Sequence, residues 1–213
     1  KNRLLTTIAY RINGKTTYAM EGSIFIAGAG VQWLRDRMKF FIYVSETEKI
    51  VKSLKSNNDI YLVPAFTGLG APYWDANSRG VLSGITRDTS PREIVRATIE
   101  AVAYQTHDLF EAMKHDGLRP KIVKVDGGMV MNNWFSQFLS DVVNVKVLRP
   151  KVQETTALGA AFMAGLQIGV YKSLKDISRN WQVDKKFSPK MSKQLRSSLL
   201  KGWIKAIKRT LIN

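Results

Sequence analysis

The sequence predicts an α/β fold, in which short β-strands alternate with amphipathic helices along the 213 residues. Two runs rich in Thr, Ile and Tyr flank Asn13-Gly14, a dipeptide typical of tight β-hairpins. Apolar residues recur at helical spacing after Ser90-Pro91, which predicts a long helix. The mostly apolar residues 122–125 predict a buried strand that ends in Asp126-Gly127-Gly128.

The first half of the chain is expected to contain four strands and two helices. The predicted strands cover residues 4–12, 15–20, 60–63 and 81–85, and the predicted helices cover residues 21–41 and 45–54. Gly28 and Gly30 lie inside the first helix, where each glycine costs about 1 kcal/mol relative to alanine. They indicate a close approach, either by a ligand or by another backbone at an ordinary helix crossing.

An irregular segment at residues 66–79 carries Tyr73 and Trp74 among turn-forming residues. Loops with large aromatic side chains usually pack against the body of a protein and are often functional. We therefore expect this loop to pack against the body of the protein.

The second half of the chain begins with a clear helix start. Ser90, Pro91 and Glu93 have the spacing of a capping box, which predicts a helix from residue 91 to about His115. Thr155 or Thr156 is expected to cap a later helix that is dense in small residues. The remaining predicted elements are strands at residues 122–125 and 146–148 and helices at residues 132–143, 155–165 and about 192–212.

The last predicted helix is basic and amphipathic, with an apolar residue at every fourth position. Such a helix can lie on a membrane. Its apolar stripe packs more often on the parent domain, and that is the expectation for this chain.

Composition excludes several classes of site. The chain has no cysteine, so disulfides and thiolate metal sites are excluded. His107 and His115 have no cluster of further ligands around them in the sequence, which argues against a histidine metal site. No segment approaches the ~18 consecutive apolar residues of a membrane span, and the start does not resemble a secretory signal. We expect a cytoplasmic protein without a membrane partner.

The net charge of +16 raises the question of a nucleic-acid partner. Residues 171–213 contain 12 Lys and Arg against two Asp and Glu, whereas residues 61–170 contain 11 against 10. The excess charge therefore belongs to the tail, away from the Gly-Gly segment. A groove for a nucleic-acid backbone is basic near the residues that read it, so a nucleic-acid partner is not expected.

The end of the predicted strand at residues 122–125 is the best candidate for a ligand site. Ligands of open α/β sheets bind at the carboxyl ends of strands, and paired glycines let a backbone approach a flat or phosphorylated ligand. Asn132 can donate and accept hydrogen bonds, which suits a nucleobase or a ribose. A tight turn with Asn132 as a helix cap explains the same residues without any ligand.

Several longer motifs carry a family resemblance. They lie at residues 18–22, 27–29, 32–36, 63–75, 96–100, 125–128 and 156–161, with a second pattern from Gly80 to Glu100. Together they resemble the carboxyl-terminal domain of the glycerol kinases, within the carbohydrate kinases that share the actin, hexokinase and Hsp70 ATPase fold. The resemblance implies one lobe of that fold at residues 1–213, with a ribonuclease H-like mixed sheet flanked by helices.

The resemblance also implies a function and a set of site residues. Glycerol kinases transfer the γ-phosphoryl group of MgATP to glycerol in a cleft between two lobes. By position, Gly28 and Gln32 resemble the family's nucleotide contacts on the first helix of this domain. Gly128 and Asn132 resemble its adenine- and ribose-side contacts after the central strand. Asp126 is expected either to reach the ribose or to cap the turn.

No catalytic or metal-binding residue of the family has a matching position here. In the family, the glycerol contacts, the catalytic base and the phosphate loops belong to sequence before Lys1. We expect an amino-terminal lobe as a partner, no kinase activity from this chain alone, and an exposed apolar face where that lobe docks. A homo-oligomer, a non-catalytic remnant, another sugar kinase and a binding module that uses the basic tail remain alternatives.

Overall fold

The computed structural model describes residues 4–211 as alternating strands and helices. The strands are β1 (Leu5–Ile12), β2 (Lys15–Glu21), β3 (Tyr61–Val63), β4 (Val81–Ser83), β5 (Ile122–Lys124), β6 (Lys146–Pro150) and β7 (Val183–Phe187). The helices are α1 (Gly28–Asp36), α2 (Glu46–Lys52), α3 (Pro91–His115), α4 (Asn133–Val143), α5 (Thr155–Gln167), α6 (Leu174–Asn180) and α7 (Lys193–Thr210). A 3₁₀ turn covers Gly128–Met131.

Three small sheets hold the strands of the described residues. β1 and β2 form the predicted antiparallel hairpin, which turns through Asn13 and Gly14, both at positive φ. β3 pairs with β4 in a second antiparallel sheet. The third sheet has the order β5-β6-β7, with β5 parallel and β7 antiparallel to β6. It is a mixed sheet, as expected.

Two expectations about β5 are wrong. The strand lies at the edge of its sheet rather than at the centre, because β6 is its only neighbour among residues 4–211. It is also not buried, since Ile122 retains 54% of its accessible surface. The run at residues 122–125 contains Lys124, and a short, mostly apolar run marks a strand without showing which of its sides is covered.

α3 is the centre of the core, and α1, α2, α4 and β3 all pack against it. Its start has the predicted capping box between Ser90 and Glu93. Glu100 is fully buried within it, where it accepts hydrogen bonds from Arg96 (2.7 Å) and from the Tyr104 hydroxyl (2.8 Å). Burial raises the pKa of Glu100, and the Arg96 charge and hydrogen bonds oppose that rise only in part.

α7 packs on the core through its central turns, as its apolar spacing predicts. Trp203 is fully buried, stacks on Tyr104 at 5.3 Å between ring centroids, and donates to Asp108 at 2.7 Å. Gly202 lies directly against the Tyr61 ring, where a Cβ atom has no room. The apolar stripe predicted to be buried extends too far at both ends of the helix, because Leu195 and Leu211 remain exposed.

Other helix boundaries differ from the predicted ones because contacts between distant segments decide where each helix begins. The first helix covers residues 28–36 instead of 21–41, since Glu21 completes β2 and the Ala71 N–H donates to the Ser23 carbonyl at 3.0 Å. That bond belongs to the aromatic loop, which packs against the body as expected, with the Tyr73 hydroxyl donating to Asp108 at 2.8 Å. Neither threonine caps α5, whose N-cap is Glu154 without a side-chain bond. α6 and β7 were not predicted.

No helix in the described part of the chain is both long and apolar enough to cross a membrane.

Candidate functional site

The four site residues predicted from the sequence line a single cavity of about 500 Å³. Gly28 and Gln32 lie on α1, and Gly128 and Asn132 lie on the segment that leads into α4. Further residues of α1, the segment before α2, α2 itself, α3 and the turn at Gly128–Met131 complete the walls: Val31, Arg35, Val44, Ser45, Thr47, Glu48, Ile99, Met129 and Met131. Residues far apart in sequence therefore meet at the place that the motifs indicate.

The α1 side of the cavity is formed by the first turn of a helix. Gly28 is the first residue of α1, and no side chain caps this end. A Cβ atom added at Gly28 meets no other atom within 4 Å, so the space above the glycine is open to a ligand. The helix start has a partial positive charge, and the exposed Gln32 amide follows one turn later.

The opposite wall depends on the paired glycines. Gly127 has φ +83°, a conformation that favours glycine. It turns the chain so that Gly128 begins the 3₁₀ turn. Gly128 has no positive φ, and a Cβ atom placed there also meets nothing within 4 Å. A Cβ atom at Gly128 thus has no steric conflict with the protein, and Gly128 itself is part of the cavity wall.

Asn132 is both a helix cap and part of the cavity wall. Its Oδ1 accepts from the Phe135 N–H at 3.0 Å, which caps α4, and its Nδ2 donates to Thr47 Oγ1 at 3.4 Å. The capping interpretation is therefore correct. An amide has two N–H donors and two lone pairs on its oxygen, so Asn132 retains capacity for a further partner.

Thr47 and Glu48 were missed by sequence reasoning. Glu48 accepts from the Asn133 N–H at 3.2 Å, which fixes α2 to the start of α4, and it also pairs with Lys52 within α2 at 2.5 Å. Partial burial opposes ionisation, yet these hydrogen bonds outweigh it and hold the pKa of Glu48 below its ordinary value. The sequence around Glu48 indicates only a short charged helix, and it contains no signal for this contact between α2 and α4.

The walls combine apolar surface with a few polar groups. Val31 and Ile99 are buried in the core beneath the cavity, and Met129 and Met131 flank it. Cavities of this size with convergent amide and hydroxyl groups are typical of small-molecule sites. The flexible methionine side chains and open glycines suit a flat heterocycle.

Asp126 lies outside this cavity. Its carboxylate accepts a hydrogen bond from the Thr155 hydroxyl at the start of α5, and it lines a second cavity of about 330 Å³. The Thr155 hydroxyl thus gives Asp126 a structural partner within this chain.

Within residues 4–211, no group of three or more His, Asp or Glu side chains is placed to hold a metal ion.

Comparison with known proteins identifies the family of the chain. Residues 4–168 match the sequence profile of the C-terminal domain of the FGGY family of carbohydrate kinases. The chain belongs to this family. Among its relatives, the FGGY proteins named glycerol kinase 1 of Pseudomonas aeruginosa and glycerol kinase of Clostridium botulinum are 54% and 51% identical over 98% and 99% of the chain. The chain spans 42% and 43% of their lengths.

Solved structures of FGGY kinases have the same fold. The crystal structure of Plasmodium falciparum glycerol kinase with ADP matches with a TM-score of 0.90 and 38% identity, over 100% of this chain and 43% of that one. A xylulose kinase from Rhodospirillum rubrum matches with a TM-score of 0.82 and 19% identity, over 99% of this chain and 43% of that one. The second likeness shows the fold alone.

Proposed function

We propose that residues 1–213 form the C-terminal nucleotide-binding lobe of an ATP-dependent glycerol kinase, which converts ATP and glycerol to ADP and glycerol 3-phosphate. The observation that carries the proposal is the meeting of Gly28, Gln32, Gly128 and Asn132 in one cavity. The relatives that are about half identical over nearly the whole chain are named glycerol kinases, and one similar structure holds ADP.

In this proposal the cavity takes the adenosine half of the nucleotide. The apolar walls take the adenine ring, and the amides of Gln32 and Asn132 bind its polar edge or the ribose. The open glycines let the nucleotide approach the backbone at Gly28 and Gly128. Arg35 is paired with Asp36 at 2.7 Å on the surface, so the cavity has little net charge from that side chain.

The proposed nucleotide is ATP with Mg²⁺, although residues 4–211 contain no group of three or more carboxylate or imidazole side chains placed around a metal position. Mg²⁺ usually binds through nucleotide phosphates and only one or two carboxylates. In this proposal the metal arrives bound to the phosphates of the nucleotide. Glycerol and the groups that position the γ-phosphoryl are assigned to the amino-terminal lobe, because phosphoryl transfer depends on positioning and charge around that group.

Nucleotide titration tests the cavity. The 213-residue chain is expected to bind ADP with a Kd of about 1 mM or tighter, measured by calorimetry or ligand-observed NMR. Gly128→Val places a side chain in the cavity and is expected to weaken binding by about tenfold or more. Gly159→Val is the matched control, because Gly159 also has open space around its Cβ position but lies outside this cavity.

Two results contradict the nucleotide site. One is a folded chain that binds no ADP at millimolar concentration. The other is equal weakening by Gly128→Val and Gly159→Val.

A full-length chimera tests the reaction. In it, this chain replaces the matching 209 residues of Pseudomonas aeruginosa glycerol kinase 1. The chimera is expected to form glycerol 3-phosphate from ATP and glycerol, whereas the 213-residue chain alone is expected to form none. A folded chimera that binds ADP but phosphorylates only another polyol or sugar would contradict the assigned substrate.

A further inference from the structure

Arg149 is a buried charge next to the turn that carries Gly128 and Asn132. It lies on β6 and is only 6% exposed. Its guanidinium lies over the Phe187 ring, with 5.7 Å between Cζ and the ring centroid. A buried arginine requires hydrogen-bond acceptors for its donors, so its partners show which parts of the fold it connects.

One edge of the Arg149 guanidinium contacts the glycine turn, the name used here for residues 127–132. Nη1 donates to the Val130 carbonyl at 2.9 Å and to the Met131 carbonyl at 3.3 Å. The buried Ser136 hydroxyl donates to the same Val130 carbonyl at 2.9 Å. The residues of this turn that line the proposed nucleotide cavity are Gly128, Met129, Met131 and Asn132. Arg149 therefore binds the backbone of the turn from outside the cavity lining.

The other edge of the guanidinium contacts β7. Nε and Nη2 of Arg149 each lie 2.7 Å from Oδ2 of Asp184. The neighbouring Lys185 donates from Nζ to Oδ1 of Asn133, the residue after the glycine turn, at 3.0 Å. β7 is therefore connected to this part of the chain twice, through Arg149 and through Lys185. It lies after residue 168, where the match to the family profile ends.

The bonds from Arg149 limit how the peptide before Asn132 can rotate. The Met131–Asn132 peptide has its carbonyl on Arg149 and its N–H on the Met129 carbonyl, at 3.2 Å. Both sides of this peptide unit are therefore held. A planar guanidinium donates in several fixed directions at once, whereas a lysine ammonium is a point charge on a flexible stem. Arginine can thus bind Asp184 and the two carbonyls together.

We propose that Arg149 is a positioning residue for nucleotide binding and that Asp184 of β7 holds it in place. Arg149 sets the backbone orientation of the glycine turn, and thereby the place of Gly128 and Asn132 against the nucleotide. The inference rests on the proposed function, because it concerns the same cavity.

Arg96 provides a matched control for substitutions of Arg149. It is also buried, at 8% exposure, and lies over an aromatic ring, 5.0 Å from the centroid of Trp134. It donates to the Glu100 carboxylate at 2.7 Å and to the Leu54 carbonyl at 2.6 Å. None of these partners belongs to the glycine turn. A lysine at either position therefore perturbs a similar buried network, but only the one at position 149 perturbs the turn.

ADP titration of the 213-residue chain compares the two arginines. Arg149→Lys is expected to raise the Kd for ADP about tenfold, because the glycine turn loses its fixed orientation. Arg96→Lys is expected to lower the free energy of unfolding but to leave the Kd unchanged. Circular dichroism before each calorimetric titration selects folded samples. Hydrogen exchange at the Asn132 amide gives a local measurement, and it is expected to become faster in Arg149→Lys alone.

An unchanged Kd for folded Arg149→Lys would overturn the inference, and so would equal weakening of ADP binding by the two lysine substitutions. Asp184→Asn is the second variant, since Asp184 is exposed and the amide has nearly the same size. It is expected to raise the Kd about threefold. When Arg149→Lys does not fold, an unchanged Kd for Asp184→Asn overturns the inference instead.

Failure of this inference is distinguishable from failure of the proposed function. A folded wild-type chain that binds no ADP contradicts the proposed function, and this inference with it. Wild-type binding together with an unchanged Kd for Arg149→Lys contradicts the role of Arg149 alone.

Discussion

Helices α5 and α7 differ in how many charged residues they carry and in how much of their apolar surface they bury. α7 has six basic residues and no acidic one, buries Trp203, Ala206 and Ile207 on the core, and turns its lysines outward. α5 has no charged residue and buries only Gly165. The outer face of α7 is suited to water. The outer face of α5 is uncharged and stays exposed in this chain.

Alanine-to-glutamate substitution should lower the free energy of unfolding strongly on α7 and hardly at all on α5. Ala206→Glu forces an unpaired carboxylate into the core and is expected to lower the free energy of unfolding by about 5 kcal/mol. Ala160→Glu places the carboxylate in water in the 213-residue chain and is expected to change it by less than about 0.5 kcal/mol. Urea unfolding followed by circular dichroism measures both. Strong destabilisation by Ala160→Glu would show that this chain already covers α5.

Truncation of the aromatic residues measures how well each helix is packed. Trp203→Ala removes a stacked, hydrogen-bonded side chain and is expected to cost about 3–4 kcal/mol. Phe162→Ala removes a half-buried ring whose neighbour is Tyr171 at 5.5 Å, and about 1 kcal/mol is expected. Chemical denaturation with the far-ultraviolet signal compares them. Similar losses for the two variants would remove the contrast between the helices.

The rim of the cavity lined by Gly28 and Asn132 is expected to behave like α7, because its side chains already have partners within this chain. The lowered pKa of Glu48 means that its contribution to stability is present above the ordinary pKa of a glutamate and is lost as the pH falls through the lowered value. Glu48→Gln should therefore cost about 1 kcal/mol at neutral pH and nothing in strong acid. Unfolding measured from pH 3 to pH 7 gives this dependence.

Glu111→Gln is the control for that series. Glu111 is exposed and pairs with Lys114 on the surface of α3 at 3.2 Å, and such pairs contribute little. A constant difference between wild type and Glu48→Gln at every pH would contradict the assigned role of the Glu48 carboxylate.

The sequence predicts those parts of the fold that depend on local signals. Asn13-Gly14 marks the hairpin, and Ser90 with Glu93 marks the start of α3, because turn and cap chemistry act within a few residues. The family motifs lead to Gly28, Gln32, Gly128 and Asn132, which the structure brings to one cavity. Their binding of nucleotide remains a prediction.

Features that depend on contacts between distant segments were missed. The predicted start of α1 was wrong because a backbone hydrogen bond from the Ala71 N–H holds Ser23 outside the helix. Glu48 was missed because its role depends on the docking of α2 against Asn133. β7 escaped detection because Asp184, Lys185 and Lys186 interrupt its apolar pattern, and its pairing with β6 specifies the strand.

The double use of Asn132 restricts how this protein could acquire a new ligand. One amide both begins α4 and borders the cavity. A substitution that reshapes the pocket at this residue also removes a helix cap, so any such change has a cost in folding before it offers a benefit in recognition. Selection for altered ligand preference would therefore act more readily through Gln32, whose exposed side chain lies within α1 and caps no helix.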